Sequence, residues 1–169
     1  MPLNLLKSYN DLLDFGGYTH HQRRQSLQGV FDRDITNNPN FTFKTKPIQP
    51  TPKNGEIPMQ TLFTHLTTVM TDKSTRHREF DRYRSQRLHW LKFHIDESKP
   101  NNILHFSVKE PDGIRTYIYD KDEKYVIILQ PLRKVNEYYL LTAYHLLGKD
   151  AKRNKILKKY NKRRLPDLH

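Results

Sequence analysis

The segment between Ile103 and Leu146 constrains the fold of this chain most strongly, because its apolar residues recur with a period of two. Side chains on a β-strand alternate between two faces, so this period predicts strands. Short polar turns such as Pro111-Asp112-Gly113 separate the apolar runs and favour antiparallel pairing of successive strands. We therefore predict a four-stranded meander, with strands over residues 103–110, 114–120, 124–132 and 138–146.

The segment before this meander, residues 78–97, has the period of an amphipathic helix instead. Its predicted inner face carries Phe80, Arg84, Leu88, Leu91 and Ile95. Residues three and four positions apart lie on one face of a helix, so this spacing predicts one long helix, ended by Lys99-Pro100. The predicted fold class is α+β: a long helix packed on a four-stranded antiparallel meander, preceded by a small helical N-terminal region.

The N-terminal part of the chain predicts helices and a linker. Residues 3–15 predict one helix, and Thr19 predicts the N-cap of a second that runs to about Asp34. Five of the ten prolines lie in residues 36–58, and this density predicts an extended linker without regular elements. Residues 59–70 are apolar and favour a helix over a strand, and residues 71–77 predict a polar loop.

These patterns divide the chain into three parts. Residues 1–35 form a helical N-terminal segment, and residues 36–75 combine the Pro-rich linker with the short apolar segment. Residues 76–169 form an α+β domain that ends in a terminal helix or basic tail from Asp150 onward.

The chain carries a formal net charge of +12, and the excess lies in its C-terminal half. Residues 1–75 hold 8 Lys/Arg against 6 Asp/Glu, whereas residues 76–169 hold 22 against 12. Such an excess attracts polyanions, of which nucleic acid is the commonest in cytosol. A membrane surface is a weaker alternative, because Ile156, Leu157 and Tyr160 give the tail only a narrow apolar stripe.

Several classes of chemistry are excluded by the residues present. The chain has no cysteine, which removes disulfides, zinc–thiolate sites and cysteine nucleophiles. It has no His-Glu-x-x-His pattern and no glycine-rich phosphate loop, so we expect neither a metal nor another cofactor. The N-terminus does not read as a secretory signal and no apolar run is long enough to span a bilayer, so we expect a cytoplasmic protein.

A family resemblance emerges from the order of four short segments. RLHWLKFHI, followed by IRTYIYD, YVIIL and YYLLTAYHL, resembles the superfamily of small metal-independent ribonucleases that includes barnase, EndoU, colicin D and RelE. The phage and polymorphic-toxin branch is the most similar, with its histidine-bearing helix, basic inner strand and Leu-Thr-Ala-Tyr-like last strand. The resemblance covers about residues 78–148, and it departs where His145 follows Thr-Ala-Tyr, a position that commonly holds proline or a bulky apolar residue.

The resemblance implies a toxin-type endoribonuclease that cleaves tRNA or mRNA by attack of the ribose 2′-OH. Such an enzyme must be restrained in its host, so an inhibitory antitoxin or immunity protein is implied as a partner beside RNA. The reaction needs a base near the 2′-OH, a cation on the phosphate and an acid on the leaving oxygen. We expect the catalytic residues to be His94, Arg115, Thr142 and Tyr144, with His89 as a weaker candidate.

Neighbouring basic and aromatic residues complete the predicted RNA site. Arg115, Tyr117 and Tyr119 share one face of their strand, and Thr142 and Tyr144 share one face of theirs. We expect RNA contacts from Arg87, Lys109, Tyr117, Tyr119, Lys152, Arg153 and Lys155. A solvent-facing sheet surface and a solvated basic helix are the plain structural alternatives.

A second hypothesis assigns the same residues to binding alone. The chain would then be a non-catalytic nucleic-acid-binding protein, such as a phage accessory or regulatory factor. A third hypothesis is a structural module whose basic tail docks an acidic protein. Convergence of His94, Arg115 and Thr142 in one cleft separates the first hypothesis from the other two, because binding does not require it.

Overall fold

The computed structural model describes the backbone of residues 2–169 and the side chains of residues 3–169. The strands are β1 Thr42–Phe43, β2 Lys46–Pro50, β3 Thr68–Asp72, β4 His77–Phe80, β5 Ile103–Glu110, β6 Gly113–Asp120, β7 Tyr125–Leu132 and β8 Glu137–His145. The α-helices are α1 His20–Phe31, α2 Pro58–Thr67, α3 Arg82–Ser85, α4 Trp90–Ile95, α5 Gly148–Lys152 and α6 Lys155–Lys162. A 3₁₀ helix over Pro2–Leu6 and a π-helical turn over Asp32–Thr36 complete the regular elements.

Six strands form one mixed sheet in the order β1-β2-β8-β7-β6-β5, which curves into a half-barrel. The strands β5 to β8 pair as an antiparallel meander, whereas β2 pairs with β8 in parallel. The predicted fold class is therefore wrong in its architecture. The fold is α+β, but the sheet has six strands rather than four, and short helices cover it in place of one long helix.

The meander itself lies where the sequence predicts it. Each of its strands agrees with its predicted range to within one residue at either end. Alternation gives the sheet two buried faces: one packs against α1, α2 and α4 through residues such as Ile118 and Ile127, and the other packs against α6. Both faces are apolar because both carry helices.

The long helix predicted over residues 78–97 does not form. Its first residues belong to β4, and Asp81 caps α3 by accepting hydrogen bonds from the backbone N–H groups of Tyr83 and Arg84. The helix is interrupted again before α4, where Leu13 N–H donates to the Gln86 carbonyl at 3.0 Å and Trp90 N–H turns to Arg87 instead. In a continuous helix the Gln86 carbonyl would accept from Trp90, so the break comes from a tertiary contact that helical periodicity does not report.

The N-terminal region agrees with prediction in part. The helix expected over residues 3–15 is wrong beyond the 3₁₀ turn, because the Asn4 side chain is buried and bonds the Asp14 backbone and the Ser26 hydroxyl. The second helix is confirmed: Thr19 and Gln22 form a capping box at the start of α1, and the helical path continues through the π turn.

The proline-rich segment is more ordered than predicted, because it contributes β1 and β2. The helix predicted over residues 59–70 forms as α2, with Pro58 in its first turn, but residues 68–70 belong to β3 instead. The loop predicted over residues 71–77 is a hairpin in the structure, in which β3 pairs with β4. We call this hairpin, residues 68–80, the hairpin arm.

The chain after β8 packs first on one face of the sheet and then on the other. Helix α6 buries Ile156 against one face, and the terminal residues then return to the other. There the His169 carbonyl accepts from Thr116 and Tyr138, and its backbone N–H donates to Ser107. Among the residues that the structure describes, none of the helices combines the length and apolarity needed to cross a bilayer.

Candidate nucleic-acid interface

The predicted catalytic histidine, His94, lies inside the protein. Its side chain is 1% exposed, and its two ring nitrogens face the Trp90 carbonyl at 2.7 Å and the Asp120 carboxylate at 2.8 Å. Both partners are hydrogen-bond acceptors, so both nitrogens are engaged when they donate. His94 therefore ties α4 to the end of β6.

Asp120 is the centre of this buried group, and the sequence analysis missed it. Its Oδ2 also accepts from the Tyr9 hydroxyl at 2.8 Å, and its Oδ1 accepts from Lys99 at 2.9 Å and from the backbone N–H groups of Asp122 and Glu123. Burial raises the pKa of Asp120, but the hydrogen bonds from His94 and Lys99 outweigh it and hold the pKa well below its usual range. We call these four side chains, Tyr9, His94, Lys99 and Asp120, the Asp120 cluster.

Arg115 lies on the opposite face of β6 from this cluster. Positions 115 and 120 differ by an odd number, so their side chains leave opposite faces, about 17 Å apart along the strand. The Arg115 guanidinium donates to the Ile114 carbonyl at the start of β6. The structure therefore does not bring His94 and Arg115 to one phosphodiester, and their predicted catalytic roles stay predictions without geometric support.

The hydroxyl-bearing residues do share a face, as the alternation predicts. Pairing across four strands gives two rows: Phe106, Tyr117, Ile128 and Thr142 in one, and Leu104, Tyr119, Val126 and Tyr144 in the other. Helix α6 covers this face with Ile156 and Tyr160. The Tyr117 hydroxyl donates to Glu110, which also pairs with Lys159 of α6, so the predicted cleft is filled by the chain itself.

Thr142 and Tyr144 nevertheless meet a guanidinium, that of Arg84 in α3. Its Nη1 lies 3.3 Å from the Thr142 hydroxyl, and its Cζ lies 5.4 Å from the centre of the Tyr144 ring. The same Nη1 donates to the carbonyls of His65 and Thr68 at the end of α2. Burial lowers the pKa of Arg84, but arginine stays charged in proteins, so the group also offsets the negative end of α2.

The remaining predicted histidine and arginine serve packing. His89 is buried, its Nε2 donates to the Ser8 carbonyl at 3.0 Å, and burial lowers its pKa. Arg87 donates to the Tyr83 carbonyl, and its guanidinium lies 5.1 Å from the centre of the Trp90 ring. Burial followed by the charges of Arg87 and Lys124 lowers the pKa of His145 to about 4.

The other predicted RNA contacts are on the surface. Lys109 is exposed on β5, and Lys152, Arg153 and Lys155 are exposed around the junction of α5 and α6. Their charge remains available to an anion, although Lys155 lies 3.9 Å from Asp150.

A groove that the sequence did not predict carries several basic side chains that open to solvent. It runs between α1, α2 and the hairpin arm, and it joins a depression of about 690 Å³ to a smaller one of about 280 Å³. Its basic lining consists of His20, Arg23, Arg24, Lys53, His65, Arg76 and Arg78. We call this the cationic groove; Glu56 is the one acidic residue in the lining of the two depressions.

The helix α1 presents its basic residues to the groove along one face. His20, Arg23, Arg24 and Leu27 follow the i, i+3, i+4, i+7 spacing of a helical face. The Arg23 guanidinium stacks 3.6 Å from the centre of the Phe80 ring, and the Arg24 guanidinium lies 5.9 Å from that of Phe63. Stacking fixes the plane of a guanidinium and leaves its N–H edges able to donate.

The opposite wall positions Arg78. Its Nε donates to the Thr68 hydroxyl at 2.8 Å and its Nη2 to the Thr68 carbonyl at 3.0 Å, while Nη1 has no hydrogen-bond partner among the residues that the structure describes. His65 lies on the floor, where burial, then Arg78 and Lys53, lower its pKa, so it is neutral at pH 7. The groove thus offers oriented guanidinium groups together with a neutral imidazole.

The charges of the groove are not compensated within the protein. In the part of the chain that the structure describes, none of Arg23, Arg24, Arg76 and Arg78 forms a salt bridge, and only Lys53 pairs with Glu56, at 3.0 Å. The first turn of α1 also lacks an acidic residue, so its basic residues oppose the helix dipole. A like-charged cluster placed in this way lowers stability, which favours a role in binding an anion.

Basic residues at helical spacing directly after the Thr19 cap, HHQRR, were the available signal for this groove. The hairpin wall gives no comparable signal, because residues 71–77 read as an ordinary polar loop.

Comparison with known proteins adds no relative: neither protein-family models, nor curated proteins, nor solved structures give a match to this chain. The ribonuclease resemblance accordingly rests on the four short sequence segments alone.

Proposed function

We propose that this chain binds nucleic acid through the cationic groove and does so without cleaving it. The observation that carries the proposal is the concentration of four arginines and Lys53 around the two joined depressions of the groove, with a single acidic residue. Guanidinium groups match the oxygens of a phosphate in a bidentate way, and several along a groove match successive phosphates. Among the described residues these arginines have no carboxylate partner, and all but the two donors of Arg78 that bond Thr68 are left for a ligand.

Nucleic acid fits this surface better than the other polyanions considered. A membrane surface would contact a basic face interleaved with many bulky exposed apolar groups. Among the described residues, the groove lining has only Ile57 and Met70 of this kind. An acidic protein segment supplies fewer charges per unit length than a nucleic acid, which carries one phosphate at each nucleotide.

The test measures the affinity and salt dependence of the wild type and of Arg24→Gln/Lys53→Gln for a labelled 20-nucleotide RNA and a 20-base-pair DNA. Both positions are exposed, so the fold should persist. We expect the double variant to lose at least about tenfold in affinity near 100 mM salt, and the slope of log K against log salt to fall by about 2.

The matched control is Arg133→Gln/Lys134→Gln, which removes the same charge from the exposed β7–β8 turn, outside the lining of the cationic groove. It should change the affinity much less than the groove variant. Equal losses from both variants would contradict the proposed site and leave only a general attraction to polyanions.

One observation favours endoribonuclease activity as a second candidate function. Thr142 and Tyr144 meet Arg84, which also donates to the carbonyls of His65 and Thr68 in the lining of the groove. The test incubates total RNA with the protein and a chelator, and compares the wild type with Thr142→Val and Tyr144→Phe. Cleavage that persists in the chelator and is lost in both variants would establish the enzyme; intact RNA at saturating protein would exclude it.

A further inference from the structure

The hairpin arm is not explained by packing. Residues 70–77 are all exposed, although an isolated two-stranded hairpin has little stability of its own in water. The sequence nevertheless supports its shape: the Asp72 carboxylate accepts from the Ser74 backbone and hydroxyl and from the Thr75 backbone, and Arg78 bonds both Thr68 acceptors at the base. The arm is therefore a projecting element whose turn is held in one conformation.

The arm carries three basic residues, Lys73, Arg76 and Arg78, against two acidic ones, Asp72 and Glu79. Lys73 and Arg76 lie in its turn, His77 follows, and Arg76 and Arg78 also line the cationic groove. Asp72 holds the turn, and Glu79 pairs with His77 at 3.4 Å. The arm thus continues the positive wall of the groove away from the body of the protein.

We propose that the ligand of the cationic groove is double-stranded DNA and that the hairpin arm enters its major groove. This inference rests on the proposed nucleic-acid-binding function. From Met70 to Asp72 the strand β3 rises about 7 Å, and the turn over residues 73–76 adds to this reach, so the arm is comparable in length with the ~8.5 Å depth of the B-form major groove. That groove is about 12 Å wide and admits a two-stranded ribbon, whereas the A-form major groove of duplex RNA is too narrow.

The surface also lacks what single strands use. Nonspecific single-strand binding relies on exposed aromatic rings on which bases stack. In the described part of the chain, Tyr83 is the one Phe, Tyr or Trp side chain that is exposed. Phe80 is covered by Arg23, and the aromatic rows on the sheet are covered by α6. Phosphate contacts from the groove and an inserted arm therefore fit a duplex better than a single strand.

The experiment compares four probes of one sequence, duplex DNA, duplex RNA and the two single strands, by fluorescence anisotropy at a fixed salt concentration. We expect duplex DNA to bind at least about tenfold tighter than the other three. The arm variant Lys73→Gln/Arg76→Asn should remove that preference; asparagine is chosen because Arg76 has a φ of 57°, which asparagine tolerates. Circular dichroism and the melting temperature confirm that this variant folds.

A duplex with C5-propynyl pyrimidines sharpens the test, because this substituent occupies the major groove and leaves the phosphate charge unchanged. It should bind more weakly than the unmodified duplex, and a minor-groove ligand should not compete.

Equal or tighter binding of RNA or of single strands overturns the inference and leaves the proposed function standing, provided that Arg24→Gln/Lys53→Gln still weakens the complex. Effective competition by polyglutamate would identify a general polyanion surface and overturn the inference too. If no probe binds, the proposed function and the inference both fail.

Discussion

The Asp120 cluster and the cationic groove treat charge in opposite ways. In the cluster, the carboxylate of Asp120 is buried and accepts hydrogen bonds from Tyr9, His94 and Lys99. In the groove, several positively charged arginines line depressions that open to solvent, with a single acidic residue among them. The matched charge of the cluster joins distant segments of the chain, whereas the arginines of the groove have no carboxylate partner and keep N–H donors open to a ligand.

The two regions differ in which side chains remain able to contact a ligand. His94 has the residue type and helical position of a catalytic base, but its two nitrogens are already engaged inside the protein. Arg24 and Arg76 belong to no catalytic motif, yet they remain available to a ligand. The hydrogen-bonding partners therefore decide which of these side chains can still contact a ligand, and the residue type alone does not.

The largest effect on the free energy of unfolding is expected from Asp120→Asn. The substitution removes the negative charge and leaves His94 and Lys99 beside a neutral amide, so the free energy of unfolding should fall by about 3–5 kcal/mol. Urea denaturation measures it. Nucleic-acid affinity of the folded fraction should stay unchanged, because the groove is not part of the cluster.

Asp122→Asn is the control, since Asp122 is exposed and pairs with Lys99 and Asn102 at the surface. A loss as large as that of Asp120→Asn would show that burial does not set the importance of the carboxylate.

The second effect is a loss of unfolding free energy in acid, to which the histidines and Asp120 should contribute at different pH values. The pKa of His145 falls from its ordinary value of 6.5 to about 4 in the folded protein, and burial also lowers the pKa of His89. Their stability contribution is present above about pH 6.5 and is lost as the pH falls towards 4, because the unfolded chain then binds more protons. His145→Gln should reduce that loss by roughly 1 kcal/mol, discounted for partial exposure.

The measurement is urea denaturation at a series of pH values. The Asp120 carboxylate should contribute a further loss only at lower pH, because its pKa lies well below its usual range. A pH-independent unfolding free energy between pH 7 and 4 would contradict the expectation for the histidines.

The third effect compares the groove with the other basic surface. Lys152→Gln/Arg153→Gln/Lys155→Gln removes three exposed charges at the start of the C-terminal helices. We expect a loss of affinity smaller than that of Arg24→Gln/Lys53→Gln, and a loss that shrinks as salt rises. Charge substitution is preferable to truncation, because removal of α6 would uncover Phe106 and Tyr117.

The smallest effect on the free energy of unfolding is expected at the start of α1. Thr19→Ala removes the capping hydroxyl that accepts from Gln22, and the free energy of unfolding should fall by about 1 kcal/mol. Thr19→Ser should retain most of it. Because the cap fixes the turn that carries His20 and Arg23, we expect Thr19→Ala, measured by anisotropy, to weaken binding slightly, and Thr19→Ser to leave it unchanged.

Local patterns were sufficient for much of the fold. The period of two located all four strands of the meander, and the Thr19 capping signal located α1. Each of these elements is decided by interactions within a few residues or by alternation against a buried face. The strands β1 and β2 were missed because the prolines dominate the local signal, although Pro47 and Pro50 both lie within β2.

Nonlocal contacts decided the rest. The helix predicted over residues 78–97 is divided because the Gln86 carbonyl accepts from Leu13, which is distant in sequence. The predicted catalytic set failed to assemble for a similar reason: β6 sends Asp120 and Arg115 to opposite faces, and α6 covers the face where Tyr117 lies. The parity of positions 115 and 120 was readable in advance, but the side on which each helix packs was not.

The parallel pairing of β2 with β8 also governs how the protein is made. Ile48 lies beside Tyr138, about 90 positions later in the chain. While a ribosome synthesises the intervening residues, β2 has no neighbour to hydrogen-bond with along that edge, and the closure entropy of so long a loop slows its later docking. The nascent protein therefore exposes one unpaired edge of β2 until β8 leaves the exit tunnel.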